Sequence, residues 1–204
     1  MTTEGPPRHF SMLRSFHVAD LFTIANGACG VAAIFRAMRH VATGHTRDLY
    51  LATALVPLAI VFDVLDGRIA RFRREASPLG RELDSLADVI SFGVAPAAIA
   101  FACGLDGALD QALLVWFAAC GLSRLARYNI TAAAVVKGPS DKVPYYEGTP
   151  ITTSIVPLGL VVLAWSRGHA QALPLLGGSL HALALVFLAS GCLMISKTIR
   201  IPKP

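Results

Sequence analysis

Charge is scarce in this chain: Asp, Glu, Lys and Arg together make up 15% of its 204 residues. A soluble globular domain carries about a quarter. That shortfall excludes an ordinary water-soluble domain, and the 54% hydrophobic share, spread along the whole length, points to lipid as the solvent. A cleaved leader does not account for the apolar excess, because Met1 to His9 is polar and proline-bearing and lacks the basic-then-apolar order of a signal. Cysteine pairs are also missing. Cys29, Cys103, Cys120 and Cys192 stand singly in apolar stretches with no Cys-x-x-Cys spacing, which excludes a disulfide or zinc framework and leaves them as small packing residues. The six histidines form no His-x-x-x-His pair and receive no chemistry. There is no internal repeat and no low-complexity segment, so the chain reads as one domain, residues 1–204. Without a soluble basic surface, nucleic-acid binding is excluded as the reason for the net charge of +5.

What is present is a series of apolar windows. A helix needs about 20 apolar residues to cross a bilayer, and six windows approach that length: Leu21–Met38, Tyr50–Ile69, Asp84–Cys103, Ala108–Tyr128, Thr149–Ala164 and Leu173–Ile195. Gly104–Gly107 separates the third from the fourth and predicts a tight turn between antiparallel neighbours. The N-terminal segment, residues 1–20, mixes Phe10, Met12, Leu13 and Phe16 with His9, Arg14 and His17, a pattern that suits a short amphipathic helix in the interface. The expected fold is an all-α integral membrane protein with six transmembrane helices preceded by that interfacial helix.

Basic residues set the expected orientation. With six spans, both termini share a side with the second–third and fourth–fifth loops. That side carries Arg8, Arg14, Arg71, Arg73, Arg74, Arg81, Lys137, Lys142, Lys197, Arg200 and Lys203; the other carries Arg36, Arg39, Arg47 and Arg167. Both termini are therefore expected in the cytoplasm, and the positive charge reads as topology plus attraction to anionic lipid headgroups.

Aspartate is costly in hydrocarbon, and an ionisable residue inside a span is by default functional. Four gather around the second and third windows: Asp63 and Asp66, spaced i, i+3, and Asp84 and Asp88, spaced i, i+4. Each pair projects from one helical face. The second helix runs toward the cytoplasm and the third returns, so both pairs lie near the same surface and can converge across Arg71–Leu83. Gathered carboxylates repel unless something positive joins them. Arg68, Arg71 and Arg81 stand nearby, and the plainer reading is a set of helix caps and ion pairs. One or two hard divalent cations match an all-oxygen cluster better. Gly67 and Ala70 leave an open shelf beside the acids, Arg71 can present a guanidinium fork to phosphate, and Gly80 is expected in a turn of the connecting loop. The sum is a metal-bridged diphosphate at the membrane surface.

Read as one string, Asp63, Asp66, Gly67, Ala70, Arg71, Gly80, Asp84 and Asp88 resemble the signature of the CDP-alcohol phosphotransferase family, with every spacing matched over 26 residues. The resemblance implies a six-helix membrane enzyme of the cell inner membrane, commonly a homodimer, with a cytoplasm-facing site. It implies that Asp63, Asp66 and Asp84 bind magnesium or manganese, with Asp88 completing a second metal position and also acting as general base. It implies that Asp66, Gly67, Ala70, Arg71 and Gly80 contact the CDP moiety of CDP-diacylglycerol.

The stretches from Asp84 to Pro96, Arg124 to Asn129 and Tyr146 to Pro150 resemble the branch that uses L-serine as acceptor and forms phosphatidylserine. One departure is Ala19-Asp20 where that branch often has Pro-Asn; Asp20 can serve as an N-cap there. Arg124 and Arg127, one turn apart, could grip the serine carboxylate, and Glu147 or a backbone carbonyl the ammonium; both arginines could equally be positive-inside anchors. Other acceptors stay open: glycerol 3-phosphate, inositol phosphate or another amino alcohol. A divalent-cation transporter is the rival from another class, although transport sites lie near the midplane and these acids lie near one surface. A non-catalytic lipid-binding scaffold is a third reading.

Overall fold

The structure is a computed structural model, and it describes residues 18–73, 78–135, 145–168, 172–175, 178–196, 198 and 200–202. The expected interfacial helix falls almost wholly on residues 1–17, outside the described residues.

Two long helices open the chain, α1 (Val18–Thr43) and α2 (Thr46–Arg73). They are joined at Gly44, whose φ of 71° is the left-handed conformation that lets a helix end and turn without a Cβ clash. The Gly44 amide closes α1 by donating to the His40 carbonyl at 2.8 Å. α3 (Pro78–Asp88) begins on a proline, whose missing N–H costs nothing in the first turn. It passes into a π-helical turn, Val89–Val94, and then into α4 (Ala95–Ala102). The Ala95 amide reaches back five residues to the Ile90 carbonyl, just before Pro96. Proline cannot donate in the ladder, and the wider turn carries the helix past it.

Gly104, at φ 102°, turns the chain into α5 (Ala108–Val135). A 3-10 turn, Ile151–Ser154, leads into α6 (Ile155–Ser166), and α7 (Ala182–Ile195) follows. Four short strands complete the fold: β1 (Tyr145–Glu147), β2 (Ala172–Leu175), β3 (Gly178–His181) and β4 (Arg200–Pro202). They form two antiparallel pairs, β1 with β4 and β2 with β3.

Small residues dominate where helices meet. Ala33 and Ala37 of α1, Ala52 and Ala59 of α2, and Ala95 and Ala100 of α4 are fully buried or nearly so. Such residues let helix backbones approach closely where the hydrophobic effect offers little help. Phe117 of α5 and Phe187 of α7 pack edge to face, with ring centroids 5.0 Å apart. Large apolar side chains such as Phe35, Val61 and Val115 point outward instead, as a lipid-facing surface requires.

Four helical stretches are long and apolar enough to cross a membrane: Val18–Thr43, Thr46–Phe72, Leu79–Ala102 and Ala108–Ile130. They coincide with the first four apolar windows. The last two windows differ from expectation. Ile151–Ser166 and Ala182–Ile195 are shorter apolar helices, and α7, at 14 residues, spans only about 21 Å at 1.5 Å per residue. The window drawn from Leu173 begins in the β2–β3 hairpin, where Pro174 removes a helical donor. The hairpin also departs from a purely α-helical expectation.

Two further corrections concern local structure. Gly80 does not lie in a loop but in the first turn of α3, because the helix already starts at Pro78. Asp20 is not an N-cap: α1 is helical from Val18, and Asp20 is buried within it.

Candidate active site

α2 and α3 both pack on α1, and their acids come together at the end of the bundle where α2 finishes and α3 begins. α2 brings Asp63 and Asp66, and α3 brings Asp84. One carboxylate oxygen from each lies within 4.8 Å of the other two. Asp66 is buried, while Asp63 and Asp84 are partly exposed. Asp88, at the last turn of α3, stands outside that trio; it is buried and held by the Asn26 side-chain amide, which donates to Asp88 Oδ1 at 3.0 Å. Asp66 Oδ2 accepts from the Thr23 hydroxyl at 2.8 Å.

Asp63, Asp84 and Asp88 open on one cavity of about 290 Å³. Its opposite wall comes from Arg124, Leu125, Tyr128 and Asn129 of α5 and from Pro150–Thr152, where the 3-10 turn starts. Arg81 also borders it. Ser85 and Asn129 close one side: the Ser85 hydroxyl and the Asn129 amide lie 3.0 Å apart, and the same amide donates to Glu82 Oε2 at 3.1 Å. These bonds tie α3 to α5 across the cavity wall.

The donor set fits a hard divalent cation. Three carboxylate oxygens converge at coordination-compatible spacing. Asp84 Oδ1 is buried without a hydrogen-bond partner, an orphan that a cation would satisfy. Among the described residues, no arginine or lysine forms an ion pair with any of the four aspartates; the ion pairs described lie at Arg36, Arg39 and His181. The plainer reading of arginine-neutralised acids thus finds no ion pair among the described residues to support it. Arg68, Arg71 and Arg81 are exposed.

The other residues singled out in the sequence are placed as follows. An added Cβ at Gly67 would meet nothing within 4 Å, so the face beside Asp66 is open. Ala70 and Gly80 are partly exposed, and Arg71 is exposed. Arg124 lines the cavity. Arg127, one turn on, directs Nη1 to the Ile195 carbonyl at 3.3 Å. Glu147 lies on β1, with its backbone opposite Arg200 of β4; its side chain lies outside the described residues.

Sequence reasoning passed over Thr23, Asn26, Ser85 and Asn129 as site residues. The one available signal was weak: Thr23 and Asn26 are polar residues at i, i+3 in an otherwise apolar window.

Comparison with known proteins adds a second line of observation. A family model described as CDP-alcohol phosphatidyltransferase matches residues 16–190. The CDP-diacylglycerol–serine O-phosphatidyltransferase of Saccharomyces cerevisiae is 43% identical over 206 residues, covering 96% of this chain and 74% of the relative. Its namesake in Helicobacter pylori (strain ATCC 700392 / 26695) is 37% identical over 187 residues, covering 90% and 70%. That of Bacillus subtilis is 31% identical over 137 residues, covering 66% and 69%.

Proposed function

The chain belongs to the CDP-alcohol phosphatidyltransferase family, and on that premise we propose how its site works and what it joins. The protein transfers the phosphatidyl group of CDP-diacylglycerol to the hydroxyl of L-serine, giving phosphatidylserine and CMP. The convergence of Asp63, Asp66 and Asp84 to within 4.8 Å, beside a cavity that Asp88 also borders, carries this reading of the site.

Asp63, Asp66 and Asp84 would hold magnesium or manganese, one ion or two, and Asp88 would complete a second position. The cation would neutralise the diphosphate charge and so make CMP a better leaving group. Gly67 and Ala70 leave room for the nucleotide beside Asp66; Gly80 contacts it from α3, and Arg71 offers its guanidinium to phosphate oxygens. Asp88 takes the proton of the serine hydroxyl as that oxygen attacks phosphorus in line with the departing CMP. Asp88 lines the cavity, which puts the base where a small alcohol can reach it. Arg124 pairs with the serine carboxylate, supported by Arg127, and Glu147 receives the ammonium. The acyl chains stay in the bilayer while the headgroup reacts at its surface.

The whole chain acts as one membrane domain of six crossing segments with an interfacial N-terminal segment, residues 1–20. It sits as a homodimer in the cell inner membrane, with the site and both termini facing the cytoplasm. The basic residues concentrated around the α2–α3 connection support that orientation.

An acceptor screen tests the reading. Purified protein is given CDP-diacylglycerol and manganese with serine, glycerol 3-phosphate, inositol phosphate or another amino alcohol, and CMP is measured. CMP release that requires serine is expected. Release with another alcohol in place of serine would reassign the acceptor. Silence with every alcohol would overturn the enzyme in favour of a cation transporter or a lipid-binding scaffold.

A further inference from the structure

α1 contributes no residue to the eight-position signature, yet its inner face reaches two of the four aspartates. Thr23 and Asn26 are three residues apart, one turn along a single face. The Thr23 hydroxyl bonds Asp66 on α2, and the Asn26 amide bonds Asp88 on α3, across sequence separations of 43 and 62 residues. Both α1 residues are buried, 3% and 0% exposed, so water does not compete for either bond and each holds its geometry firmly.

α1 is itself locked in register against the π-helical turn that follows Asp88. The Ser91 hydroxyl donates to the Asn26 carbonyl at 2.8 Å. Gly30 approaches so closely that an added Cβ would stand 2.6 Å from Ser91 Oγ and 2.8 Å from its Cα. Sliding α1 by a residue would break this fit and both carboxylate bonds together. Asn26 Oδ1, moreover, is buried without a hydrogen-bond partner. A side chain chosen for packing alone would leave no acceptor unpaired, so what the amide contributes is its donor.

We propose that Thr23 and Asn26 are positioning residues for the transfer reaction. Thr23 turns the Asp66 carboxylate toward those of Asp63 and Asp84. Asn26 occupies Oδ1 of Asp88 and leaves Oδ2 as the oxygen that receives the acceptor's proton. The inference rests on the metal-binding reading of the cluster, and the test separates the two.

Purified Thr23→Val, Thr23→Ser, Asn26→Ala and the better-filling Asn26→Leu are compared with the unchanged protein in two ways. One is the manganese concentration giving half of the maximal thermal stabilisation, which needs no turnover. The other is kcat and KM for each substrate. Loss of a partner that orients a metal ligand typically weakens metal binding or activity by ~10–100-fold. Thr23→Val is expected to raise the manganese midpoint by about that factor, while Thr23→Ser, which keeps the hydroxyl, holds the unchanged protein's midpoint. Both Asn26 variants are expected to lower kcat by a similar factor with KM unchanged. A Thr23→Val midpoint equal to that of the unchanged protein overturns the inference, as does a Thr23→Ser shift as large as that of Thr23→Val. An Asn26 loss that falls on KM rather than kcat overturns it too. No manganese stabilisation of the unchanged protein would sink the metal reading itself.

Discussion

At one end of the bundle Asp48 meets Arg36 at 2.8 Å and Arg39 at 3.4 Å, and Asp110 takes both the backbone amide and the ring of His181, at 2.9 and 2.7 Å. At the other end Asp63, Asp66 and Asp84 meet one another. The first arrangement is closed: each acid has its partner, and the contacts fasten α1 to α2 and the β3 strand to α5. The second has no ion pair among the described residues, and Asp63 and Asp84 open on a cavity. Acids serving only as fasteners would resemble the first set, because a buried carboxylate with no counter-charge costs far more than a paired one. The contrast assigns structure to one end and ligand chemistry to the other, and it can be broken at either.

The largest effect is expected at the open end. Asp88→Asn keeps the shape and removes the base, and loss of a general base costs ~10²–10⁴-fold in rate. CMP release should collapse by that order while equilibrium binding of CDP-diacylglycerol and the melting temperature hold. A variant that keeps turnover would place the base elsewhere. At the closed end the signature should invert. Asp110→Ala leaves the buried His181 amide and ring without their partner, a loss of about 1–3 kcal/mol. Thermal unfolding in detergent should register it, with kcat per folded molecule close to that of the unchanged protein. A selective loss of kcat instead would erase the distinction between the ends.

A smaller effect sharpens the open end. Arg124 borders the cavity, whereas one donor of Arg127 is already engaged by the Ile195 carbonyl. Arg124→Ala should raise the serine KM by roughly tenfold or more, the loss of one charge-assisted pair of about 1.5–3 kcal/mol. Arg127→Ala should raise it less. Equal KM values in both variants and the unchanged protein would remove these arginines from the acceptor pocket. Least of all, Arg36→Ala at the closed end breaks a pair whose arginine is half exposed, and exposed pairs contribute about 0–1 kcal/mol. Its melting temperature and kinetics should barely move.

The open end was the more legible of the two from sequence. Four aspartates at helical spacing in apolar surroundings stand out because hydrocarbon penalises them, and the spacing alone told which would share a face. The four long helices were legible for the same reason, their apolar runs matching the thickness of a bilayer. The α1 contribution was not. Thr23 and Asn26 are ordinary polar residues in an apolar window, and nothing local reveals that their partners lie 43 and 62 residues away. The Asp110–His181 pair is hidden likewise, joining residues 71 apart. Gly80 was misplaced because glycine in a short polar link favours a turn, whereas Pro78 starts α3 two residues earlier. The hairpin before α7 was masked by the apolar composition of β2, which a strand and a helix share.

Metal removal addresses the central claim most directly. Purified protein is stripped with a chelator, supplied with CDP-diacylglycerol and serine, and then titrated with manganese or magnesium while CMP is followed. CMP formation is expected to be absent in the stripped protein and to return with added cation, and Asp84→Asn should require far more cation for the same return. Serine-dependent CMP release that persists at full rate without any divalent ion would contradict the account.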